Sequence, residues 1–150
     1  MVKLKRLSTT PILEPKPHHP WEAAAIFNTA AVYHNDLVHL IYRATDITSN
    51  GQQGEHINSL GYAVSGDGIH FERLGNPILF NNVPQEARGP EDPRITWMNR
   101  KFYMLYTGFG GRFNGDYRIN LATSTNPIHW ERQGVMLDEP NKDAALLQRK

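Results

Sequence analysis

The stretch GYAVSGDGIHFERLG, residues 61–75, decides the fold because it occurs a second time in this chain of 150 residues. NLATSTNPIHWERQG, residues 120–134, lies at an offset of 59 and is identical to it at seven positions. Just upstream, residues 28–44 align without a gap with residues 92–108 at an offset of 64. The chain therefore contains two copies of one unit, each of about 60 residues.

Each copy has the pattern of a small antiparallel sheet. The runs LVHLIYRA (37–44) and KFYMLYTG (101–108) are rich in aliphatic and aromatic residues, which is typical of strands. The polar breaks YHND (33–36) and MNRK (98–101) predict tight turns before them. No segment has a long helical period. We therefore predict an all-β fold of four-stranded meanders in tandem, which is the sequence form of β-propeller blades. A β-sandwich with accidental similarity between two hairpins is the alternative.

The predicted blades account for most of the chain. We expect one partial propeller domain over residues 1–150, with blade units at about 22–80 and 86–138 and a third blade that begins at about 141. Two blades do not close a ring, and open strand edges are a liability in water. The sequence is therefore either the front part of a longer protein or a chain that assembles with copies of itself.

Composition excludes several classes of partner and site. A formal charge of +1 gives no basic stripe for nucleic acid or an anionic membrane. The start of the chain lacks the apolar run of a signal peptide, and no stretch approaches the roughly 20 apolar residues of a membrane span. We therefore predict a soluble, cytoplasmic protein. Without cysteine, and with seven histidines that form no metal-ligand spacing, the sequence predicts no metal site.

The segment RGPEDPRIT, residues 88–96, places two adjacent acids between prolines. Neighbouring side chains of an extended segment point to opposite faces, so we expect only one of the acids to look into a central channel. The repeat places Asn28, Asp92 and Lys142 at equivalent positions, where the innermost strand of each blade begins. Asp92 is therefore the predicted axial acid, whereas Glu91 is expected to satisfy backbone donors or an arginine. A turn-stabilising role for Asp92 is the alternative.

Taken together and in order, a series of motifs resembles glycoside hydrolase family 130. They are PILEPKPHHPWE (11–22), FNTAAV (27–32), YRA (42–44), GYAVSGDGIHFER (61–73), GPEDPRIT (89–96), YTG (106–108), LATS (121–124) and NKDAAL (141–146). The resemblance covers nearly the whole chain, although only the N-terminal part of the family's length is present. It implies a five-bladed propeller and the activity of an inverting β-mannoside phosphorylase or a related mannosidase.

The resemblance also implies roles for single residues. Asp92 becomes the proton donor, Asn28 and Arg43 hold the terminal mannose, and Lys142 is the first of several cationic phosphate contacts. Arg94 is expected to bind substrate or, with equal weight, to pair with an acid. The implied partners are a mannose-containing oligosaccharide and inorganic phosphate as a co-substrate, with no metal or organic cofactor.

The chemistry of these side chains favours phosphorolysis. Inverting hydrolysis needs a second carboxylate to activate water, whereas phosphate is already an anionic nucleophile that a cationic cradle can position. We predict cleavage of terminal β-mannosides to α-mannose 1-phosphate. An inverting mannosidase that uses water is the first alternative, and a catalytically incomplete chain that only binds sugar or a partner chain is the second. Loops 45–58 and 109–117 are predicted to shape the acceptor subsite.

Overall fold

The computed structural model describes residues 3–46, 56–113 and 115–147, and it confirms an all-β fold. Two four-stranded antiparallel sheets follow one another along the chain, each in strand order, which is consistent with successive blades of a partial β-propeller. The strands are β1 Ala25–His34, β2 Leu37–Thr45, β3 Asn58–Ser65 and β4 Glu72–Arg73, then β5 Gly89–Met98, β6 Lys101–Phe109, β7 Tyr117–Ser124 and β8 Glu131–Val135. A short 3₁₀ helix precedes each sheet, at Pro20–Glu22 and Pro84–Glu86.

The first hairpin of each sheet closes through the predicted polar turn. Asn35 and Asp36 connect β1 to β2 with φ values of 50° and 59°, and Asn99 and Arg100 connect β5 to β6 with φ values of 49° and 59°. Two successive left-handed residues make a turn whose twist matches that of the flanking strands. The turn predictions for YHND and MNRK are therefore confirmed.

The turn after the third strand explains why the opening motif is repeated. The Asp67 carboxylate accepts hydrogen bonds from the backbone N–H groups of Ile69 and His70 at 2.9 and 2.8 Å. The Asn126 side-chain oxygen accepts the same two bonds, from Ile128 and His129, at 3.0 and 2.9 Å. Such a turn requires a side-chain oxygen two and three residues before the two donors, and Asp and Asn both supply it.

A buried set of three polar side chains also occurs once in each sheet. In the first sheet Glu22 accepts from Tyr42 at 2.9 Å and from Arg73 at 3.1 Å. In the second sheet Glu86 accepts from Tyr106 at 2.6 Å and from Arg132 at 2.8 Å. Each glutamate lies in the 3₁₀ helix, so the set ties the entry of the blade to its second and fourth strands. We refer to it below as the Glu–Tyr–Arg set.

The main apolar core lies between the two sheets. Its buried members come from both sheets and from the linker that joins them; they are Ile41, Leu60, Tyr62, Leu79, Met104, Tyr106 and Ala122. Tyr42 is fully buried in a second cluster on the other face of the first sheet. Tyr42 and Tyr106 therefore belong to the blade cores, as expected for aromatic residues at repeated positions.

The two sheets lie within the predicted units 22–80 and 86–138, and the closure of a five-bladed ring stays a prediction. The backbone from residue 141 to residue 147 is not a strand of either sheet, but the Leu146 carbonyl accepts a hydrogen bond from the Thr96 hydroxyl at 2.9 Å. Residues 47–55 of loop 45–58 and residue 114 of loop 109–117 fall outside the described residues, and the part of these loops in an acceptor subsite stays a prediction. No helix in the described parts of the chain has the length and apolarity to cross a membrane.

Candidate active site

The innermost strand of each sheet is interrupted at the same point by a β-bulge. Asn28 and Thr29 together oppose Tyr42, and Asp92 and Pro93 together oppose Tyr106, so in each case two residues stand across from one. The first residue of each bulge is left-handed, with φ of 49° at Asn28 and 50° at Asp92. Asn and Asp tolerate this conformation better than most residues. Proline is compatible with a bulge because its missing N–H removes no regular ladder bond.

The bulges bring two of the predicted site residues together. The Asn28 side-chain amide donates to Asp92 Oδ1 at 2.7 Å, and Arg43 Nη1 donates to the same oxygen at 3.2 Å. Asp92 is 6% exposed. Among the described residues no hydrogen bond reaches Asp92 Oδ2. One carboxylate oxygen is therefore fixed by two donors of the protein, and the other is not.

Arg43 lies at the centre of the site. Besides its contact with Asp92, it donates from Nη2 to Glu91 Oε1 at 2.9 Å and from Nε to Asn58 Oδ1 at 3.0 Å. Its guanidinium carbon lies 4.6 Å from the centroid of the Phe27 ring, in cation–π contact. A planar group with three directed bonds and a ring on one face has a fixed orientation.

Asn58 is a site residue that the sequence did not indicate. It is 2% exposed, and its amide donates to Glu91 Oε1 at 2.8 Å while its Oδ1 also accepts from the Thr45 hydroxyl at 3.0 Å. Its position in the first unit corresponds to Tyr117 in the second, so the repeat contains no signal for it. Only its place at the start of β3, next to Arg43, reveals its role.

The prediction that Glu91 satisfies an arginine is confirmed, whereas which of the two acids faces a central channel stays a prediction. Glu91 and Asp92 bind the same guanidinium through different nitrogens. Strict alternation fails here because the bulge at Asp92 and Pro93 rotates the chain between the two acids.

The electrostatics of Glu91 differ from those of an exposed acid. Burial raises the pKa of Glu91, the charge of Arg43 opposes that rise, and the neighbouring charge of Asp92 adds to it. Lys142 and Asp143 also lie close enough to act on this pKa, in opposite directions. The segment that follows the second sheet therefore returns to the site.

By backbone conformation, Asp143 rather than Lys142 is the residue that corresponds to Asn28 and Asp92. The left-handed backbone that marks this position in the first two units recurs at Asp143, with φ of 62°. Asp adopts this conformation more readily than Lys. An alignment of sequence motifs does not take this conformational preference into account. Lys142 corresponds to the position of Phe27 and Glu91, and its side chain is exposed. Its binding of phosphate stays a prediction.

Arg94 does not join the group around Arg43. Its Nη1 donates to the carbonyl of the preceding Pro93 at 2.7 Å. The bulge also accounts for this, since the two residues that oppose Tyr106 shift Arg94 out of the alternation that would have put it beside Asp92. Neither of the two roles predicted for Arg94, substrate binding or an ion pair, is tested by these contacts.

A groove of about 540 Å³ lies elsewhere, between the first 3₁₀ helix, the ends of β2 and β3 and the linker between the sheets. Trp21, Ile57 and Phe80 contribute to its lining, and none of the residues around Arg43 does. We place the candidate site at Arg43 because the directed polar contacts and the buried acids are there.

Asp92 thus has one oxygen that accepts no hydrogen bond from the described residues, and an arginine and an amide of the preceding sheet hold the other. Such an acid on consecutive four-stranded sheets is consistent with a propeller protein of the carbohydrate-active class. Comparison with known proteins narrows the class: residues 3–150 match the family model described as beta-1,4-mannooligosaccharide phosphorylase. The chain belongs to glycoside hydrolase family 130.

Two curated relatives come from Thermoanaerobacter sp. (strain X514). A 1,2-beta-oligomannan phosphorylase is 61% identical over 150 residues, and a beta-1,2-mannobiose phosphorylase is 49% identical over 156 residues. Each alignment covers 100% of this chain but 51% and 52% of the relative. The chain therefore spans about half the length of these relatives.

A solved structure has the same fold. It comes from work on the GH130 family of mannoside phosphorylases, which contains glycoside hydrolases that target beta-1,2 mannosidic linkages in Candida mannan. It is 32% identical, with a TM-score of 0.77 over 87% of this chain and 40% of its own.

Proposed function

We propose that this chain supplies the acid and part of the sugar site of an inverting mannoside phosphorylase. Asp92 is the acid in this proposal, and Asn28 and Arg43 orient both Asp92 and the terminal mannose. The observation that carries the proposal is the asymmetric binding of Asp92, whose Oδ1 accepts two bonds while its Oδ2 accepts none from the described residues. An acid held in this way has a defined oxygen for its proton.

In the proposed reaction an oxygen of phosphate attacks C1 of the mannose and the bond from C1 to the glycosidic oxygen breaks. The proton of Asp92 ends on the departing oxygen, so the products are α-mannose 1-phosphate and a sugar shortened by one residue. Lys142 is the proposed phosphate contact within this chain. The names of both curated relatives support phosphorolysis and suggest β-1,2-linked mannosides as the first substrates to test.

The contacts of Glu91 also favour phosphate over water. A hydrolase needs a second carboxylate that is free to take a proton from water. Glu91 is the nearest acid in sequence, but its Oε1 accepts from both Arg43 and Asn58, and the side chain is 11% exposed. It is therefore a poor base for an incoming water molecule.

Asp143 supports hydrolysis as the second candidate function. It is an exposed carboxylate with the same left-handed backbone as Asp92 and Asn28, at the start of what we predict to be the third blade. A carboxylate that is exposed and bound to no buried donor would suit the activation of water. The description of hydrolases within this family agrees with such a route.

The test is to incubate the chain with β-1,2-mannobiose in the presence and absence of inorganic phosphate and to follow sugar phosphate by ³¹P NMR. We expect α-mannose 1-phosphate only with phosphate, and a loss of about 10²–10⁴-fold in rate for Asp92→Asn. Asp67→Asn is the matched control, because Asp67 lies in an exposed turn that holds asparagine in the second unit.

Each other outcome has a distinct meaning. A full rate without phosphate, abolished by Asp143→Asn, would replace phosphorolysis by hydrolysis. An unchanged rate in Asp92→Asn would show that the acid is assigned wrongly. Binding of mannobiose without turnover would favour the alternative that this chain only binds sugar.

A further inference from the structure

The contacts around Arg43 form a closed arrangement of three groups with two acids on one cation. Glu91 Oε1 accepts from Arg43 at 2.9 Å and from Asn58 at 2.8 Å, while Asn58 Oδ1 accepts from Arg43 at 3.0 Å. Each of the three side chains therefore contacts the other two. We call Glu91, Asn58 and Arg43 the arginine clamp.

We propose that Glu91 and Asn58 are positioning residues, which act through Arg43 to hold Asp92 in place and to limit the share of the Arg43 charge that Asp92 receives. The inference rests on the proposed function insofar as Asp92 is taken to be the acid. Among the described residues, neither Glu91 nor Asn58 forms a hydrogen bond with Asp92, so both hold it through the guanidinium.

The geometric part of the argument concerns rotation. With Nε on Asn58 and Nη2 on Glu91, the plane of the guanidinium is fixed, and Nη1 is left to point at Asp92 Oδ1. Without those two partners the Arg43 side chain has rotatable bonds that let it leave Asp92 or bind both of its oxygens. A bidentate grip would occupy Oδ2, which is the oxygen that the proposed reaction needs.

The electrostatic part concerns the charge of the arginine. A guanidinium beside a carboxylate favours the ionised form, which is unfavourable for an acid that must begin the reaction protonated. Glu91 contributes a second negative charge on the same cation, 2.9 Å from Nη2. Once ionised, Glu91 therefore offsets the effect of Arg43 on Asp92. The other charges that act on Glu91 are Lys142 and Asp143, from the segment after the second sheet.

Within the described parts of the chain, the arrangement occurs at one place. The second sheet has Thr107 where the first has Arg43, and the first sheet has Phe27 where the second has Glu91. The clamp is therefore not a repeated device of the blade, in contrast to the Glu–Tyr–Arg set, which occurs in both sheets. A purely structural ion pair of the blade would be expected to recur.

The experiment measures the titration of Asp92 directly, so its outcome does not depend on turnover. The carboxyl carbon of ¹³C-labelled aspartate is followed by NMR against pH in the 150-residue chain, with Asp92→Asn used to assign the signal. We expect Glu91→Gln to lower the midpoint of Asp92, because Arg43 loses the anionic acceptor that holds Nη2 and is then freer to bind both oxygens of Asp92. Asn58→Ala should lower it as well, since Arg43 is then free to turn toward Asp92.

Glu86→Gln is the matched control. Glu86 is also a buried glutamate bound to an arginine in the same half of the chain, but its partners are Tyr106 and Arg132 rather than Arg43. This variant is expected to lose stability and leave the midpoint of Asp92 unchanged. The proposal is overturned if Glu91→Gln, Asn58→Ala and Glu86→Gln all move the midpoint of Asp92 equally. It is also overturned if Glu91→Gln leaves that midpoint unchanged.

The activity of the same variants separates this proposal from the proposed function. In phosphate-dependent cleavage the alkaline limb of the pH–rate profile should move to lower pH in Glu91→Gln, together with a fall in kcat that exceeds any change in KM. A shifted NMR midpoint together with an unchanged rate in Asp92→Asn would overturn the proposed function and leave the clamp standing. An active enzyme in which Glu91→Gln changes neither the NMR midpoint of Asp92 nor the alkaline limb of the pH–rate profile would overturn the clamp and leave the proposed function standing.

Discussion

Two adjacent acids, Glu91 and Asp92, have different surroundings because the backbone changes conformation between them. Glu91 is the last regular ladder residue before the bulge, and Asp92 is the first residue of the bulge, with φ of 50°. Glu91 is consequently held between Arg43 and Asn58, whereas Asp92 reaches across to Asn28 on the neighbouring sheet. A single left-handed residue therefore assigns the two carboxylates to different environments.

This difference predicts how stability depends on pH. Burial raises the pKa of Glu91 above its ordinary value, so the folded chain holds a proton on this group more tightly than the unfolded chain does. As pH rises from the unfolded pKa of about 4.3 through the raised folded value, the contribution of Glu91 to the free energy of unfolding falls. The Glu91→Gln variant has no carboxyl group at this position, so this pH dependence of the free energy of unfolding is absent from it.

The measurement is denaturant unfolding of both proteins at intervals between about pH 4 and pH 8. We expect the stability of the natural chain, relative to Glu91→Gln, to decline over the lower part of this range and then to level off. A difference that stays constant with pH would show that Glu91 has the same pKa in both states.

At the scale of the strands, β5 enters the site by passing very close to β3. Gly89 has φ of 101°, and a Cβ atom placed on it would lie 1.9 Å from the Asn58 carbonyl oxygen. Glycine at this position lets the two backbones meet, which brings Glu91 within 2.8 Å of the Asn58 amide. The close approach of the strands is therefore a precondition for the arginine clamp.

We expect Gly89→Ala to destabilise the chain by at least about 1–3 kcal/mol, because it combines a left-handed backbone with a clash against main chain that cannot yield. Gly66→Ala is the control, since a Cβ on Gly66 meets nothing within 4 Å. It should change stability by no more than about 0.5–1 kcal/mol. Thermal unfolding of the two variants compares them directly, and equal losses would contradict the role assigned to Gly89.

The Glu–Tyr–Arg set gives a second prediction at this scale. Burial raises the pKa of Tyr106, and the charge of Glu86 adds to the effect, so the hydroxyl stays protonated as a donor. Tyr106→Phe leaves a buried carboxylate with one bond fewer and should cost about 1–3 kcal/mol. Tyr42→Phe should cost a similar amount, since it is the equivalent change in the first sheet.

Tyr33→Phe is the control for these two changes, because the Tyr33 hydroxyl lies on an exposed side chain and bonds to Asp36 at 3.1 Å. A loss of less than about 0.5 kcal/mol is expected there. Should Tyr106→Phe and Tyr33→Phe unfold at the same denaturant concentration, the set would not stabilise the blade.

At this scale the sequence predicts those features of the structure that are local or repeated. Strands, hairpin turns and the two units follow from patterns within about 10 residues and from the offset between the copies. The offset of 64 also relates Glu22 to Glu86, which would have revealed the Glu–Tyr–Arg set. Asn58 was not predictable because its contact with Glu91 spans 33 residues and is not repeated. The shift from Lys142 to Asp143 depends on a φ value that an ungapped alignment does not contain.

At the scale of the molecule, the candidate site results from an asymmetry imposed on a repeat. The two sheets share turns, bulges and the Glu–Tyr–Arg set, yet the arginine comes from the first sheet and the acids come from the second. A repeated fold thus supplies equivalent positions around one axis, and unlike residues at those positions create the site. The same reasoning makes Asp143, at the third such position, a residue of interest for the choice between phosphate and water.

The second sheet carries apolar surface near its outer edge, which bears on assembly. Met136 and Leu137 are 50% and 43% exposed, directly after the edge strand β8, and Phe113 is 54% exposed in the loop before β7. Apolar residues gathered at an open sheet edge favour association. We expect multi-angle light scattering to give a mass above that of the monomer as concentration rises.

A pair of double variants tests whether this edge is responsible. Met136→Glu with Leu137→Glu should return the mass to that of the monomer, because two charges at the edge oppose contact with a second copy. Leu4→Glu with Leu7→Glu is the control, since those leucines are 97% and 81% exposed but precede the first sheet. If both pairs reduce association equally, exposed leucine in general is the cause. A monomeric mass for the natural chain at every concentration would mean that the edge, although apolar, does not recruit a second copy.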